Sequence, residues 1–465
     1  MNIYNIRLGH ACNSSSSHSV IWFDGNPQTD ETSGFGWENF VAADTESRRN
    51  YAALLVLSKL NIPYFDYGVN GAMLKAFAKE GLGVDLPEGA YIDHQSAQDK
   101  FHIPSGQYST INMEFAKEFV SWFTNAPIAI LGGNDNDDEP NPMHSINDPV
   151  PFIYSMKGKA RKDPVYKCWT VFDPESGNKV RLDFSDKRAE APDRSSLPEL
   201  VDLKISDYCP YDCSFCYMGS TINGKHGDIN FIGSIVDKLR DMQVFEVAIG
   251  GGEPTLHPQF IEITEWISNF ANCNFTTKSL AWLRDPEQAK HIVKNCSAFA
   301  FSVGYDSDIE KLYNAWHPYK DSIQAVAQVV VETMPDWQLE RILLEAKRFQ
   351  IPVTLLGFKE TGRGGSFEKV KCDWKKVVKK AGYKSIGIDT VLAKELPPEF
   401  DKTFFHTKEG AWSMYVDAVE KTAGPSSYCA EEDKVSILTY ASYDKNKEYP
   451  RCSDLSEIFT GLNPQ

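Results

Sequence analysis

Three cysteines within eight residues, Cys209-Pro210-Tyr211-Asp212-Cys213-Ser214-Phe215-Cys216, constrain this chain more than any other stretch. They follow Val201-Asp202-Leu203-Lys204-Ile205-Ser206, whose alternation gives a strand with one apolar and one polar face. Thiolates so close together read as metal ligands, because sulfur is the soft donor that selects iron-sulfur clusters, zinc or Cu(I). A cubane [4Fe-4S] cluster usually takes four cysteines. Three with no local fourth leave one iron open, and an open iron can hold a substrate or cofactor. The same triplet would also serve as most of a structural zinc site, with His226 as a fourth ligand.

A second motif separates these readings. Val244-Phe245-Glu246-Val247-Ala248-Ile249 reads as a buried strand and runs directly into Gly250-Gly251-Gly252-Glu253-Pro254. Glycines let a backbone approach a ligand closely, and proline stiffens the turn. With both motifs in this order, the chain resembles the radical SAM superfamily, whose signature is C-x3-C-x2-C with an aromatic residue, here Phe215, before the last cysteine. The resemblance implies a [4Fe-4S] cluster on Cys209, Cys213 and Cys216, with S-adenosylmethionine on the open iron and its amino group against the turn Gly250, Gly251, Gly252, Glu253 and Pro254. It also implies reductive cleavage of S-adenosylmethionine to a 5'-deoxyadenosyl radical, and an external electron donor of flavodoxin or ferredoxin type. Two other classes stay open: a metal-binding interaction protein with a structural cluster or zinc loop, and a degenerate core that binds S-adenosylmethionine as a sensor or partner subunit.

From Leu197 onward, expected strands alternate with expected helices. After the first two strands come Asn272 to Thr277, Ala298 to Val303, one within Val326 to Glu332, and Pro352 to Phe358. Helices are expected near Phe231 to Met242, Gln259 to Phe270, Pro286 to Asn295, Asp308 to Trp316 and Trp337 to Phe349. The expected fold class is therefore α/β: residues 197–390 match the partial (βα)6 barrel that the resemblance implies, with active-site residues at the C-terminal ends of the strands. By the same resemblance Thr277, Ser302 and Glu332, at strand ends, are candidates to touch the methionine carboxylate or the ribose. Lys278 ends the third strand. Lys359 and Arg363 follow the sixth and are candidate partners for a carboxylate or the substrate.

Residues 1–196 read as an α+β region. Ser17 to Phe23 is an expected strand, preceded by a serine-rich run, Asn13 to His18, read as a solvated loop; His10, Cys12 and His18 form no recognised metal spacing. Asp44 caps an expected helix Glu46 to Leu60, and Phe115, Phe119, Trp122 and Phe123 form a core stripe on another, Met113 to Thr124. The acidic run Gly132 to Pro140 reads as a surface loop, the patch Lys157, Lys159, Arg161 and Lys162 as a solvated face, and Trp169 to Phe172 with Lys179 to Phe184 as a hairpin. Residues 391–465 read as a small C-terminal extension with a helix Gly410 to Thr422 and a hairpin. Its cysteines, Cys429 and Cys452, together with Cys372, are too few for two auxiliary clusters; a single three-cysteine cluster and a reduced pair both stay open.

Composition sets outer limits. A chain of 465 residues with 42% hydrophobic content has room for several domains and a large core. Ten cysteines, three of them assigned to metal, fit a reducing compartment. No charged-then-apolar leader follows Met1 and no apolar run is long enough to span a bilayer, so a cytoplasmic protein without membrane contact is expected. With 48 basic against 64 acidic residues, a net charge of -16, general nucleic-acid binding is not expected. The substrate is not written in these motifs. Nearly two hundred residues that the cofactors do not need favour a peptide or protein over a nucleoside or small metabolite.

Overall fold

The alternation of strand and helix after residue 197 folds into a run of parallel strands, each followed by a helix that covers it. The structure, a computed structural model, describes residues 2–7, 16–22, 29, 34–35, 40–58, 75–92, 112–126, 128–134, 158–174, 177, 179–184, 192–396, 408–444 and 447–464. They fall into two compact units, Met1–Ala191 and Pro192–Gln465.

The first unit contains a four-stranded antiparallel sheet, in the order Asn2–Arg7, Lys179–Asp183, Trp169–Phe172 and Lys159–Lys162, and a three-stranded one in which Ile128–Asn134 lies between Ser16–Trp22 and Phe40–Ala42. Asp44 starts the helix Thr45–Ser58 by accepting the amides of Glu46 and Ser47, each at 2.8 Å. The stripe Phe115, Phe119, Trp122 and Phe123 of the helix Met113–Asn125 is core, joined by Tyr51 and Trp169. Three expectations change. The strand expected from Ser17 forms as Ser16–Trp22, so the serine run is not loop through to His18, and Gly132 to Asn134 pair with that strand instead of forming a loop, each segment satisfying the other's backbone groups. The expected basic face is not solvated throughout: Arg161 is 8% exposed and Lys162 bonds Glu114 and Glu118. His10, Cys12, residues 135–140 and Lys157 lie outside the described residues.

In the second unit the parallel strands are β1 (Leu200–Ser206), β2 (Glu246–Gly251), β3 (Asn272–Thr277), β4 (Ala298–Ser302), β5 (Gln324–Val330), β6 (Val353–Leu356) and β7 (Ile386–Ile388), side by side in chain order. Between them run α1 (Ile229–Asp241), α2 (Phe260–Ser268), α3 (Pro286–Asn295), α4 (Asp306–Trp316), α5 (Asp336–Phe349) and α6 (Trp374–Ala381). Val201, Leu203 and Ile205 of β1 join Phe231, Ile232 and Ile235 of α1 in one core that continues along the sheet. That burial of branched and aromatic side chains drives the wrap of helices over strands. Asp202 and Lys204 point to the other face, as their alternation predicts.

The C-terminal residues differ from expectation. Gly410 to Thr422 is not a helix: Ser413–Asp417 is a strand, β8, parallel to β1, and Thr422–Gly424 is β9, antiparallel to β8. With Val435–Ser436, these strands continue the main sheet past β1. The hairpin expected from Lys434 to Ala441 and Tyr449 to Cys452 forms with shifted bounds, Leu438–Asp444 with Lys447–Cys452. Among the described residues no helix is long and apolar enough to cross a membrane.

Candidate functional site

The cysteine loop leaves the C-terminal end of β1 and is held mainly through backbone. Cys209 N–H donates to Thr221 O at 2.9 Å, Asp207 N–H to Lys225 O at 2.7 Å, and Cys216 N–H to Cys213 O at 3.1 Å. Asp212 takes a φ of 43°, which turns the chain between Cys209 and Cys213. All three cysteines are free thiols with part of their surface open. Burial pushes the Cys209 thiol up from its ordinary value, against the Tyr211 amide, which pulls it down. Lys278, at the end of β3, places Nζ 3.2 Å from Cys213 Sγ, a cation beside a sulfur that would carry negative charge on iron.

The glycine turn is tied to this loop. Gly252 N–H donates to Ser206 O at 2.7 Å and Glu253 N–H to Tyr208 O at 2.8 Å. The glycines have different jobs. Gly251 has a φ of 119°, and a Cβ there would stand 2.3 Å from Ser206 O; a Cβ on Gly252 would stand 2.2 Å from Tyr208 O. Both are glycine because two backbones touch. A Cβ on Gly250 would meet nothing within 4 Å, so only this glycine opens on free space.

Glu253 and Thr277 work inside the protein. Glu253 is 1% exposed; its Oε1 accepts the Thr255 and Thr277 hydroxyls, each at 2.7 Å, and its Oε2 accepts the Lys278 amide at 2.9 Å. Burial raises its pKa, and those hydrogen bonds pull it back. Glu253 thus braces the turn against the end of β3, and Thr277 is part of that brace. Pro254 opens a short turn, Pro254–Leu256. Phe215 packs edge-on against Phe367 at 5.8 Å. Ser302 ends β4 beside Gln328. Glu332 follows β5 with a φ of 62°, its side chain 3.9 Å from Lys369. Among the described residues, neither Ser302 nor Glu332 bonds to the cysteine loop.

His226 does not complete a zinc site. Its Nδ1 lies 3.0 Å from Ser206 Oγ and its ring packs on Tyr208 and His257. No three His, Cys, Asp or Glu side chains among the described residues converge as a single metal ion requires. Cys372 lies beside Asp336 and Glu332, Cys429 against Gly424 and Lys434, and Cys452 by Ser234 and Lys238 of α1. These three neighbourhoods are different.

Sequence reasoning missed two features. Arg363 points at the cysteine loop rather than at a ligand: Nε donates to Cys213 O and Nη1 to Ser220 O, both at 2.9 Å. The inward face of β1 also meets a polar network from the C-terminal residues. Lys204 Nζ lies 2.9 Å from Asp417 Oδ2 and 2.6 Å from Asp207 Oδ1, and Tyr415 donates to Asp417 at 3.1 Å. Burial lowers the Lys204 pKa, but its two carboxylates outweigh that and leave it raised. Lys359 pairs with Asp389 at 3.1 Å and lies over the rings of Tyr217 and Tyr428; Tyr428 donates to Glu409 at 2.8 Å. Asp202, on the same face of β1, is raised to about 7 by burial, then by Glu409 and Glu246, with Lys359 opposing.

The donor set suits a cubane with one open iron: three partly open thiols on one loop, and a glycine turn bonded to that loop with free space over Gly250. Residues 203–349 match the family model of the radical SAM superfamily. No curated protein sequence matches the chain. Among solved structures, SuiB of Streptococcus suis bound to S-adenosylmethionine is similar at 14% identity and a TM-score of 0.43, covering 57% of this chain and 66% of SuiB. SuiB bound to precursor peptide SuiA is similar at 14% identity and a TM-score of 0.41, covering 50% of this chain and 60% of SuiB. Native anSMEcpe with bound AdoMet and a Cp18Cys peptide is similar at 15% identity and a TM-score of 0.37, covering 50% of this chain and 76% of that one. The alignment with peptide-bound SuiB takes in only 60% of SuiB's own length. Residues 203–349 are thus a radical SAM domain, the domain of enzymes that use a [4Fe-4S] cluster and S-adenosylmethionine.

Proposed function

We propose that Cys209, Cys213 and Cys216 hold the [4Fe-4S] cluster, that S-adenosylmethionine lies in the space over Gly250, and that the enzyme abstracts hydrogen from a carbon of a peptide or protein. The observation that carries the catalytic reading is the bond pair from Gly252 and Glu253 to Ser206 and Tyr208, which fixes the glycine turn against the cysteine loop. Cluster ligands and cofactor seat then move as one body, as a reaction between the two groups they carry would need. When bound, the reduced cluster and S-adenosylmethionine supply methionine and a 5'-deoxyadenosyl radical.

The chain's own residues orient and exclude water. Glu253 and Thr277 hold the turn, Phe215 and Phe367 close one side of the loop, and Lys278 sets a cation beside Cys213. Thr277 acts through Glu253. Ser302 and Glu332 remain candidates for the ribose or methionine carboxylate from their strand ends. The reductant is an external donor of flavodoxin or ferredoxin type. What supports a peptide or protein substrate is the first unit, whose separate core the cofactors do not need.

Deuterium transfer tests the substrate class. Reduced holoenzyme is incubated with S-adenosylmethionine and either perdeuterated peptides or deuterated nucleosides and metabolites, and 5'-deoxyadenosine is weighed by mass spectrometry. Deuterium arriving from the peptides is expected. Deuterium arriving only from nucleosides or metabolites overturns the substrate reading and leaves the cofactor reading intact.

A further inference from the structure

Arg363 belongs to the turn Gly362–Ser366 that follows β6, yet nearly all its polar contacts are with the cysteine loop, about 150 positions earlier in the chain. Its backbone N–H donates to Cys216 O at 2.9 Å. Its side chain donates from Nε to Cys213 O and from Nη1 to Ser220 O, both at 2.9 Å. One residue thus grips the carbonyls of two proposed ligand residues and closes the segment between Cys213 and Ser220. Thr361 adds a hydroxyl bond to Tyr217 O at 3.2 Å. Gly362 sits between them with a φ of 55°, where a Cβ would stand 2.4 Å from Tyr217 O. The contact to Asp212 is longer, 3.8 Å, to a side chain that is 90% exposed, so it contributes little.

The chemistry requires arginine. Nε and Nη1 donate from different edges of one rigid planar fork, so a single side chain can hold two separate carbonyls. A lysine ammonium keeps the charge but has no such fork. Both carbonyls are acceptors that iron does not need, so the grip can exist before any metal is present.

We propose that Arg363 is a positioning residue for cluster assembly: by bridging the Cys213 and Ser220 carbonyls it holds the loop in its iron-binding shape in the metal-free protein. This rests on the reading of Cys209, Cys213 and Cys216 as the ligands. Its guanidinium also places a positive charge beside Cys213, which favours the reduced, more negative cluster.

The test uses the full-length chain, prepared without oxygen, as wild type, R363K, R363M and R363A. In metal-free protein, backbone amides within 213–221 should exchange with deuterium roughly tenfold or more faster in R363K and R363M than in wild type, the scale expected for losing hydrogen bonds from a charged donor. After reconstitution, both variants should surrender iron to a chelator several-fold faster. The midpoint potential should shift negative in R363M and return toward wild type in R363K, which separates charge from shape. Methylguanidine added to R363A should restore amide protection. If R363M proves unfolded by circular dichroism, R363K and the rescued R363A decide: restored protection on rescue supports the proposal, and no rescue overturns it. Wild-type exchange and iron retention in R363M also overturn it. A wild-type protein that takes up no iron at these cysteines refutes the ligand reading instead.

Discussion

The cysteine loop and the inward wall built by the C-terminal residues both meet β1, but they are held by different forces. The loop rests on backbone: amide-to-carbonyl bonds from Cys209, Cys216, Gly252, Glu253 and Arg363, with glycines where two chains touch. The wall rests on side chains: Lys204 between Asp417 and Asp207, and Lys359 between Asp389 and two tyrosine rings. A loop fixed by backbone keeps its shape when most of its side chains change, and its few obligatory residues stand out in sequence. A wall of charged side chains depends on every partner and is open to tuning.

Removing a ligand should have the largest effect. Cys209→Ala, Cys213→Ala or Cys216→Ala should lower iron from about four per chain to near zero with the fold retained, read by iron analysis and circular dichroism. An unchanged brown absorbance would show that other residues bind the metal.

In the wall, Lys204→Met leaves Asp417 and Asp207 without their cation in a buried place. The expected loss of stability is roughly 3–5 kcal/mol, measured by urea unfolding of the metal-free protein. A loss below about 1 kcal/mol would mean that the wall is solvated and that the comparison fails on its second side.

Asp202 gives a smaller effect, with a sign that depends on pH. Its folded pKa, about 7, lies above its ordinary value of 3.8. The folded state therefore binds the extra proton between these values, and stability falls as pH rises through that window. Asp202→Asn should be more stable than wild type at pH 8, by on the order of 2–4 kcal/mol, with the difference fading toward pH 4. A difference that does not change with pH would place the carboxyl in a solvated setting.

Gly250→Val should change stability least, by less than about 1 kcal/mol, because a side chain there meets open space. It should nonetheless weaken S-adenosylmethionine binding, measured by calorimetry. Unchanged binding would move the cofactor away from this glycine.

Much of the first region was legible in sequence, and little of the second. Strands β1 to β6 announce themselves because each is a short apolar or alternating run between helix signals, and the cysteine and glycine motifs mark two strand ends. The motif does not say which glycine faces a ligand: Gly250, Gly251 and Gly252 look alike until the carbonyls of Ser206 and Tyr208 are in place. Nor does it show that the Glu253 carboxylate accepts the Thr277 hydroxyl and the Lys278 amide and so braces the turn. The wall is illegible for a different reason. Asp417 and Glu409 come some two hundred residues after Asp202, and the burial of Asp417 depends on β8 pairing with β1. Ser413, Tyr415 and Asp417 alternate with Met414 and Val416, a two-residue period, yet the surrounding Ala, Glu and Lys favour helix. Pairing with β1 overrides that local preference. Arg363 reads as a substrate or carboxylate partner because a charged residue after a strand usually is one, and only the folded chain shows carbonyls as its targets.

The central claim is that the three cysteines and the space over Gly250 form one cofactor site, and release of 5'-deoxyadenosine tests it most directly. Wild-type and Gly250→Val protein, each reconstituted to about four iron per chain, are reduced with dithionite, given S-adenosylmethionine without substrate, quenched and chromatographed. The wild type should slowly release 5'-deoxyadenosine and methionine in equal amounts, and the variant should release little while keeping its iron. A wild-type protein with a full cluster that binds S-adenosylmethionine yet yields no 5'-deoxyadenosine would contradict the account.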